Sequence, residues 1–451
     1  MTGLYHGEMN TLLLRLLLIF LSLSLSACVT SGKPDLKRLY AREVQNTSQP
    51  PIVIIHGLMG STLVDKTTAK EFYPKSASAI ALSDYQELAI SPVSTAGDNL
   101  VPGTILNDIA GISFYGALTG VLENEGQFIK SLPGQPVGTQ KRRYYTFVYD
   151  WRRDNVIAVK QLHAFLEQIR QDYNDPNLRV DIIAHSNGGL LTNYYLRYGP
   201  NDVLDQKEFG QWQEGGKRVR RVVLLGTPNL GSVTSLDRLL RGFRLGLRLI
   251  PVEVLTSFAT PFQALPSPIA QSVLDTHGKP TTINIYDPAL WQANEWSVYS
   301  PEFIKMLEKQ SASHEEAKAK QQILQETFGK HLRRAERFQS SLTTPIIHNG
   351  IRMAAFGGDC ELTTNHAVLD QVEGKPFLAF KPKDVVNKVP GVDYDYLMMA
   401  PGDGLVTRDS QDASQYSFLP LRQSFFLCER HEFLVNNLYF QNNFLYFLLS
   451  R

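Results

Sequence analysis

LRVDIIAHSNGGLLTNYYLRY, residues Leu178–Tyr198, decides the fold: it reads as a strand, a tight turn and a helix in direct succession. Ser186 sits at the turn, with Ala184 two residues before it and Gly188 two residues after. A nucleophile elbow places serine on a strained strand-to-helix turn, and the residues two to either side must be small so that the backbones can pass. The turn lifts the serine oxygen out of the sheet and aims a helix N-terminus at it. Ala184 stands where glycine is more usual, and Gly188 keeps the second small position. Small-Ser-small triplets also occur in ordinary turns. The apolar strand before this one and the amphipathic helix after it set it apart.

Working outward, PPIVIIHG (Pro50–Gly57) is a short apolar run ending in glycine, which predicts a buried strand and a sharp turn. A second strand is expected in YYTFVYDW (Tyr144–Trp151), then a helix with Asp154 as N-cap. Behind it Val159, Leu162, Leu166, Ile169 and Tyr173 recur at helical spacing. RRVVLLGTP (Arg220–Pro228) reads as a further strand. Strands alternating with helices predict a mostly parallel sheet with helices on both faces. After Gly231 the rhythm breaks, and residues 232–344 hold helical and irregular segments without a sheet-like run. Strands resume at IRMAAFGG (Ile351–Gly358), YDYLMMAP (Tyr394–Pro401) and LRQSFFLC (Leu421–Cys428), and a helix from Glu432 to about Ser450 closes the chain. The expectation is one sheet domain in two parts, 50–231 and 345–451, with a largely helical cap inserted at 232–344.

Of 451 residues, 43% are hydrophobic and 20% charged, and the formal net charge is +1. Such a balance offers nothing to nucleic acid, whose partners carry basic domains. The stretch MNTLLLRLLLIFLSLSLSAC (Met9–Cys28) has one positive charge, an apolar run and then small residues, the outline of a secretory signal. Thr2–Glu8 fit no signal region, which makes Met9 an alternative start. Leu25-Ser26-Ala27-Cys28 resembles the bacterial lipobox, which implies removal of residues 1–27, acylation of Cys28, and a tether over 28–49. Several acyl chains would anchor the chain at a bilayer, and Val29 after the cysteine points to the outer membrane. A plain signal peptide with a chance cysteine is the bland alternative. Cys360 and Cys428 are then left. An exported chain permits a disulfide between them, and two buried thiols fit equally well. No His/Cys cluster has metal-ligand spacing, so neither metal nor cofactor is expected, and nothing fixes an oligomeric state.

Acyl transfer needs a base, an acid to orient it and donors for a developing oxyanion. One donor is expected from the Asn187 N–H, directly after the nucleophile. The other is expected from HGLMGS (His56–Ser61), where Leu58 is preferred and Met59 is its rival. Chain order in such sites is Ser, acid, His. Among the late histidines, His431 lies just past the last strand, whereas His366 sits in a polar loop and His348 lies nearer the cap. For the acid, Asp403 in APGDGLV has flanking glycines that permit a tight turn; Asp359 in FGGDC is the competitor.

Together HGLMGS, YDWR (Tyr149–Arg152), AHSNGG, LLGTPNLGS (Leu224–Ser232), GDGLV (Gly402–Val406) and the late His431 resemble the lecithin:cholesterol acyltransferase family. The resemblance implies an α/β-hydrolase fold and a serine-dependent lipid ester hydrolase or O-acyltransferase acting on membrane lipid. It carries the acid to Asp403 and the oxyanion donors to Leu58 and Asn187. Leu405 replaces the family's usual Thr, His56 replaces a common Pro, and the cap is largely this chain's own. In SLDRLLRGFRLGLRLIP (Ser235–Pro251), Leu236, Leu239, Leu240, Phe243, Leu247 and Ile250 fall on one helical face, flanked by Arg238, Arg241, Arg244 and Arg248. Such a basic amphipathic helix suits an anionic bilayer surface, or a cap helix packed on the core. A second helix is expected across Glu315–Leu342. Asp150 and Arg152 are expected to brace loops beneath the site. An esterase for non-lipid esters and a catalytically silent binding lipoprotein are the alternatives.

Overall fold

The computed structural model describes residues 33–74, 76, 82–83, 85–91, 98–109, 112–245, 247–347 and 350–450. Seven strands form the central sheet: β1 (Ile52–Ile55), β2 (Ile129–Lys130), β3 (Arg143–Phe147), β4 (Val180–His185), β5 (Val219–Leu225), β6 (Arg352–Gly358) and β7 (Leu421–Leu427). Their order is β7-β6-β5-β4-β1-β3-β2, and every neighbouring pair is parallel. Parallel strands buried on both faces need continuous apolar runs, and IVII of β1 is buried at all four positions.

The period of two along each strand divides the core into two layers. Val53, Ile55, Ile182, Val222 and Leu224 face α2 (Asn155–Asp172) and α3 (Asn187–Tyr198). Ile52, Ile54, Ile183, Val223 and Leu225 face α1 (Gly116–Asn124) and α7 (Leu438–Leu449). Asp154 caps α2 by accepting from the Val156 N–H, as its position before the helical repeat predicts.

Above the sheet a separate apolar cluster joins α4 (Val233–Arg241), α5 (Pro301–Gln310) and α6 (His314–Leu342) around Phe262, Trp291 and Phe328. Ala367, Leu378 and Phe380 belong to the same cluster. Val273–Asp275 pairs in parallel with Ala367–Val372, which pairs antiparallel with Lys375–Ala379. The cap is therefore neither free of strands nor confined to 232–344, because an excursion from the second part of the sheet domain packs into it.

Four local expectations change. The seventeen-residue basic helix stops at Arg241, where Gly242 takes φ +84° and lets the chain reverse into a hairpin, Phe243–Leu245 with Arg248–Ile250. Tyr394–Pro401 is a short helix, Tyr394–Met398, before a strand at Met399–Gly402; the Asp393 carboxylate accepts from the Tyr396 N–H and starts the helix. The closing segment is a 3-10 turn, His431–Asn436, followed by α7, with Asn437 accepting from the Tyr439 and Phe440 N–H groups at the junction. The tether gives way by Asp35: Leu36 and Tyr40 are buried, and the Tyr40 hydroxyl donates to the Asn442 carbonyl at 2.5 Å. Two apolar residues one turn apart thus pin this stretch to α7. Cys28 and the signal residues lie outside the described residues.

Cys360 and Cys428 form a disulfide, with Cα atoms 4.8 Å apart. Each follows the end of a paired strand, β6 and β7. Among the described residues no helix is long and apolar enough to cross a membrane.

Candidate active site

β4 ends at His185, and the next residue turns sharply: Ser186 has φ +54° and ψ −121°. A side chain with φ in this region is strained, and the neighbours leave the chain no other course. A Cβ on Gly188 would lie 2.5 Å from the Ile55 carbonyl oxygen, and one on Gly57 would lie 2.8 Å from the Ser186 Cβ. The elbow and the loop after β1 therefore pass at backbone contact.

The turn delivers the Ser186 Oγ to the His431 Nε2 at 2.9 Å, and the His431 Nδ1 stands 2.7 Å from the Asp403 Oδ2. An ionised carboxylate only accepts. Nδ1–H therefore donates to Asp403, and Nε2 is left to accept from the serine hydroxyl. The other Asp403 oxygen, Oδ1, accepts from the Leu405 N–H at 3.0 Å and the Val406 N–H at 2.7 Å. The His431 N–H donates to the Asp403 carbonyl. Both partners are buried. The competitors lie elsewhere. Asp359 pairs with Arg408 at 3.6 Å, the His366 Nδ1–H donates to the Leu397 carbonyl at 2.8 Å, and His348 lies outside the described residues.

Leu58 and Asn187 line the same cavity as Ser186. Among the described residues, the N–H groups of Leu58 and Asn187 have no hydrogen-bond acceptor. Met59, the rival donor, has φ +59° and also lines the cavity. The Asn187 side chain is fixed by a buried network. Its Nδ2 donates to the Tyr149 hydroxyl at 3.0 Å and to Asn155 at 2.8 Å, and the Tyr149 hydroxyl donates to the His56 carbonyl at 2.9 Å. The His56 Nδ1–H donates to the Gly57 carbonyl, and its ring stacks on Tyr149 with centroids 4.3 Å apart. Farther out, Arg152 is wholly buried; it bonds both Asp150 oxygens and the Leu88 carbonyl and pairs with Asp98 at 2.8 Å. That arrangement ties the loop through Leu88 to the end of β3.

A second chain of contacts was not anticipated, although one member lies inside the quoted elbow. The Gly57 N–H donates to the Tyr115 hydroxyl at 2.9 Å. Tyr115 donates in turn to the His185 Nδ1 at 2.8 Å, and the His185 Nε2–H donates to the His431 carbonyl at 3.1 Å. These bonds join the loop bearing Leu58 to the backbone of His431. Nothing in the sequence around Tyr115 signals this part.

Burial holds three imidazoles neutral: it pushes His56 down to about 4, His185 to about 3 and His331 to about 4, from an ordinary 6.5. A neutral His185 adds no repulsion to a positive charge forming on His431. Unfolded, all three protonate near pH 6.5; folded, they resist until pH 3–4. The unfolded chain therefore binds more protons across this window. Stability is full above about pH 6.5 and falls as pH drops, by at most about 1.4 kcal/mol per pH unit for each group titrating only in the unfolded chain. Urea midpoints should decline steadily from about pH 7 to about pH 4.5. A flat profile would contradict the buried neutral histidines.

The cavity has a volume of about 240 Å³. Trp151 and Phe258 wall one part, and Phe243, Leu245, Ile250 and Val254 of the cap wall another. Parallel sheet, serine elbow and capped apolar cavity define an α/β-hydrolase. Residues 129–337 match the family model of lecithin:cholesterol acyltransferase, and over that stretch the chain is similar to this family of lipid ester hydrolases and acyltransferases. One solved chain, from the Tle4–Tli4 complex, is similar at 16% identity and a TM-score of 0.55, covering 90% of this chain and 99% of that one. The mature lipase BlEst2 of Bacillus licheniformis shares 12% identity at a TM-score of 0.33, covering 89% and 93%. The lipase of Staphylococcus hyicus shares 13% at 0.35, covering 93% and 97%. No curated protein matches this chain.

Proposed function

We propose that this protein cleaves acyl esters of membrane lipid through a covalent acyl-Ser186 intermediate. The observation that carries the reading is the unbroken hydrogen-bonded series from Ser186 through His431 to Asp403, opening on an apolar cavity. His431 takes the hydroxyl proton as the Ser186 Oγ attacks the ester carbonyl. The tetrahedral oxyanion is received by the N–H groups of Leu58 and Asn187, which have no partner to give up. His431 then returns its proton to the leaving alcohol, and acyl-Ser186 remains. Water releases a fatty acid; an acceptor alcohol gives a new ester instead. Acylated Cys28 would hold the enzyme at the outer membrane, next to its substrate. The exposed Leu247, with Arg244 and Arg248 on the cap hairpin, would face the bilayer.

The test is mass spectrometry of phospholipid vesicles incubated with the protein, with and without a sterol or alcohol acceptor. Lysolipid with fatty acid, or an acylated acceptor, is expected. Unaltered lipid from a preparation that cleaves short-chain nitrophenyl esters would move the substrate away from membranes. Failure of a fluorophosphonate to label Ser186 would refute catalysis itself.

A further inference from the structure

The bonds through Tyr115 and His185 run in one direction only. Tyr115 is buried just before α1, and its hydroxyl accepts from the Gly57 N–H at 2.9 Å. A phenol has a single proton to donate, and the His185 Nδ1 at 2.8 Å takes it. Nδ1 therefore carries no proton, so the neutral ring holds its proton on Nε2, facing the His431 carbonyl at 3.1 Å. The other tautomer would set the Nε2 lone pair against that carbonyl oxygen. An imidazolium is opposed by burial, which pushes His185 down to about 3. Burial also pushes the Tyr115 phenol up, so it keeps the proton it donates.

We propose that Tyr115 and His185 are positioning residues that hold the oxyanion donor and the base at a fixed spacing around Ser186, a role that rests on the catalytic reading above. One end of the series grips the main chain a residue before Leu58, and the other grips the main chain of His431. Both main-chain groups of His431 are then engaged: its N–H donates to the Asp403 carbonyl, and its carbonyl accepts from His185. The packing between the ends is close. The His185 and His431 ring centroids are 5.1 Å apart, and a Cβ on Gly57 would lie 3.3 Å from the His185 Nδ1. Deleting the Tyr115 hydroxyl strands the Gly57 N–H and frees His185 to take its other tautomer, so one substitution loosens both ends. The loss then falls on the transition state, where a misplacement of about 1 Å costs about 10²-fold.

Kinetics and inhibition on the full chain test this role. Tyr115→Phe should lower kcat on a soluble nitrophenyl ester at least about tenfold and leave KM within about twofold of the parent. An alkyl trifluoromethyl ketone, which forms an oxyanion on Ser186, should bind the variant more weakly by about the same factor as the kcat loss. The matching alcohol forms no oxyanion and should bind both chains alike. A role in packing alone would lower the thermal midpoint without separating ketone from alcohol. Should Tyr115→Phe fail to fold, His185 carries the test. The amide of His185→Gln offers an acceptor to Tyr115 and a donor to the His431 carbonyl, so kcat should stay within about fivefold, whereas His185→Leu should lose at least about tenfold. Equal kcat in those two variants would overturn the role, as would ketone and alcohol affinities that change together in Tyr115→Phe. Nitrogen NMR of the Ser186→Ala chain should find His185 protonated on Nε2, and a proton on Nδ1 would overturn the directed series. Unchanged turnover in Tyr115→Phe overturns the positioning role and leaves the catalytic reading standing. A parent chain that neither cleaves ester nor takes up fluorophosphonate overturns both.

Discussion

Replacing Ser186 with alanine is expected to lower ester turnover by about 10⁶-fold, the scale on which a serine triad fails when its nucleophile is removed. The loss should fall on kcat and leave folding intact. Only Oγ is deleted, and its recorded partner is the His431 ring. The backbone that sets the elbow is untouched: the Ser186 N–H donates to the Leu225 carbonyl whatever the side chain. Thermal melts of the two chains should coincide while fluorophosphonate labelling disappears. Residual turnover within about a hundredfold of the parent would place the nucleophile elsewhere.

Asp403→Asn should cost about 10⁴-fold in kcat, for a reason set by hydrogen-bond polarity. Oδ1 accepts from the Leu405 and Val406 N–H groups, and an asparagine keeps those bonds by placing its carbonyl there. Its NH₂ must then face the His431 Nδ1, where a carboxylate oxygen stood. A donor at that point drives the imidazole to its other tautomer, with the proton on Nε2, and the ring can no longer accept from Ser186. Asp359→Asn, by contrast, breaks only an ion pair with Arg408 and should stay within about threefold of the parent. Kinetics on one soluble nitrophenyl ester read both variants. Equal losses in the two, or a mild effect of Asp403→Asn, would reassign the acid.

The fold was legible wherever local pattern and long-range packing agree. IVII of β1 and the elbow of Leu178–Tyr198 carry strand and turn signals that tertiary contacts reinforce rather than oppose. Legibility failed where one residue outweighs a periodic pattern. Gly242 ends a helix whose leucines and arginines continue in phase beyond it, and Asp393 starts a helix inside a stretch rich in strand formers. At the site, the meeting of Ser186, Asp403 and His431 was legible because the proposed chemistry needs particular residue types at turns. Tyr115 was not, because its role arises only when α1 brings its hydroxyl between the Gly57 N–H and His185.

The Cys360–Cys428 bond joins two strand ends, and each end leads straight to one member of the hydrogen-bonded pair. Glu361, beside Cys360, bridges to Asp403, while His431 lies three residues past Cys428. One covalent tie thus sets the spacing of acid and base. Without it, the register of the two loops would rest on noncovalent contacts such as the His431 N–H donating to the Asp403 carbonyl.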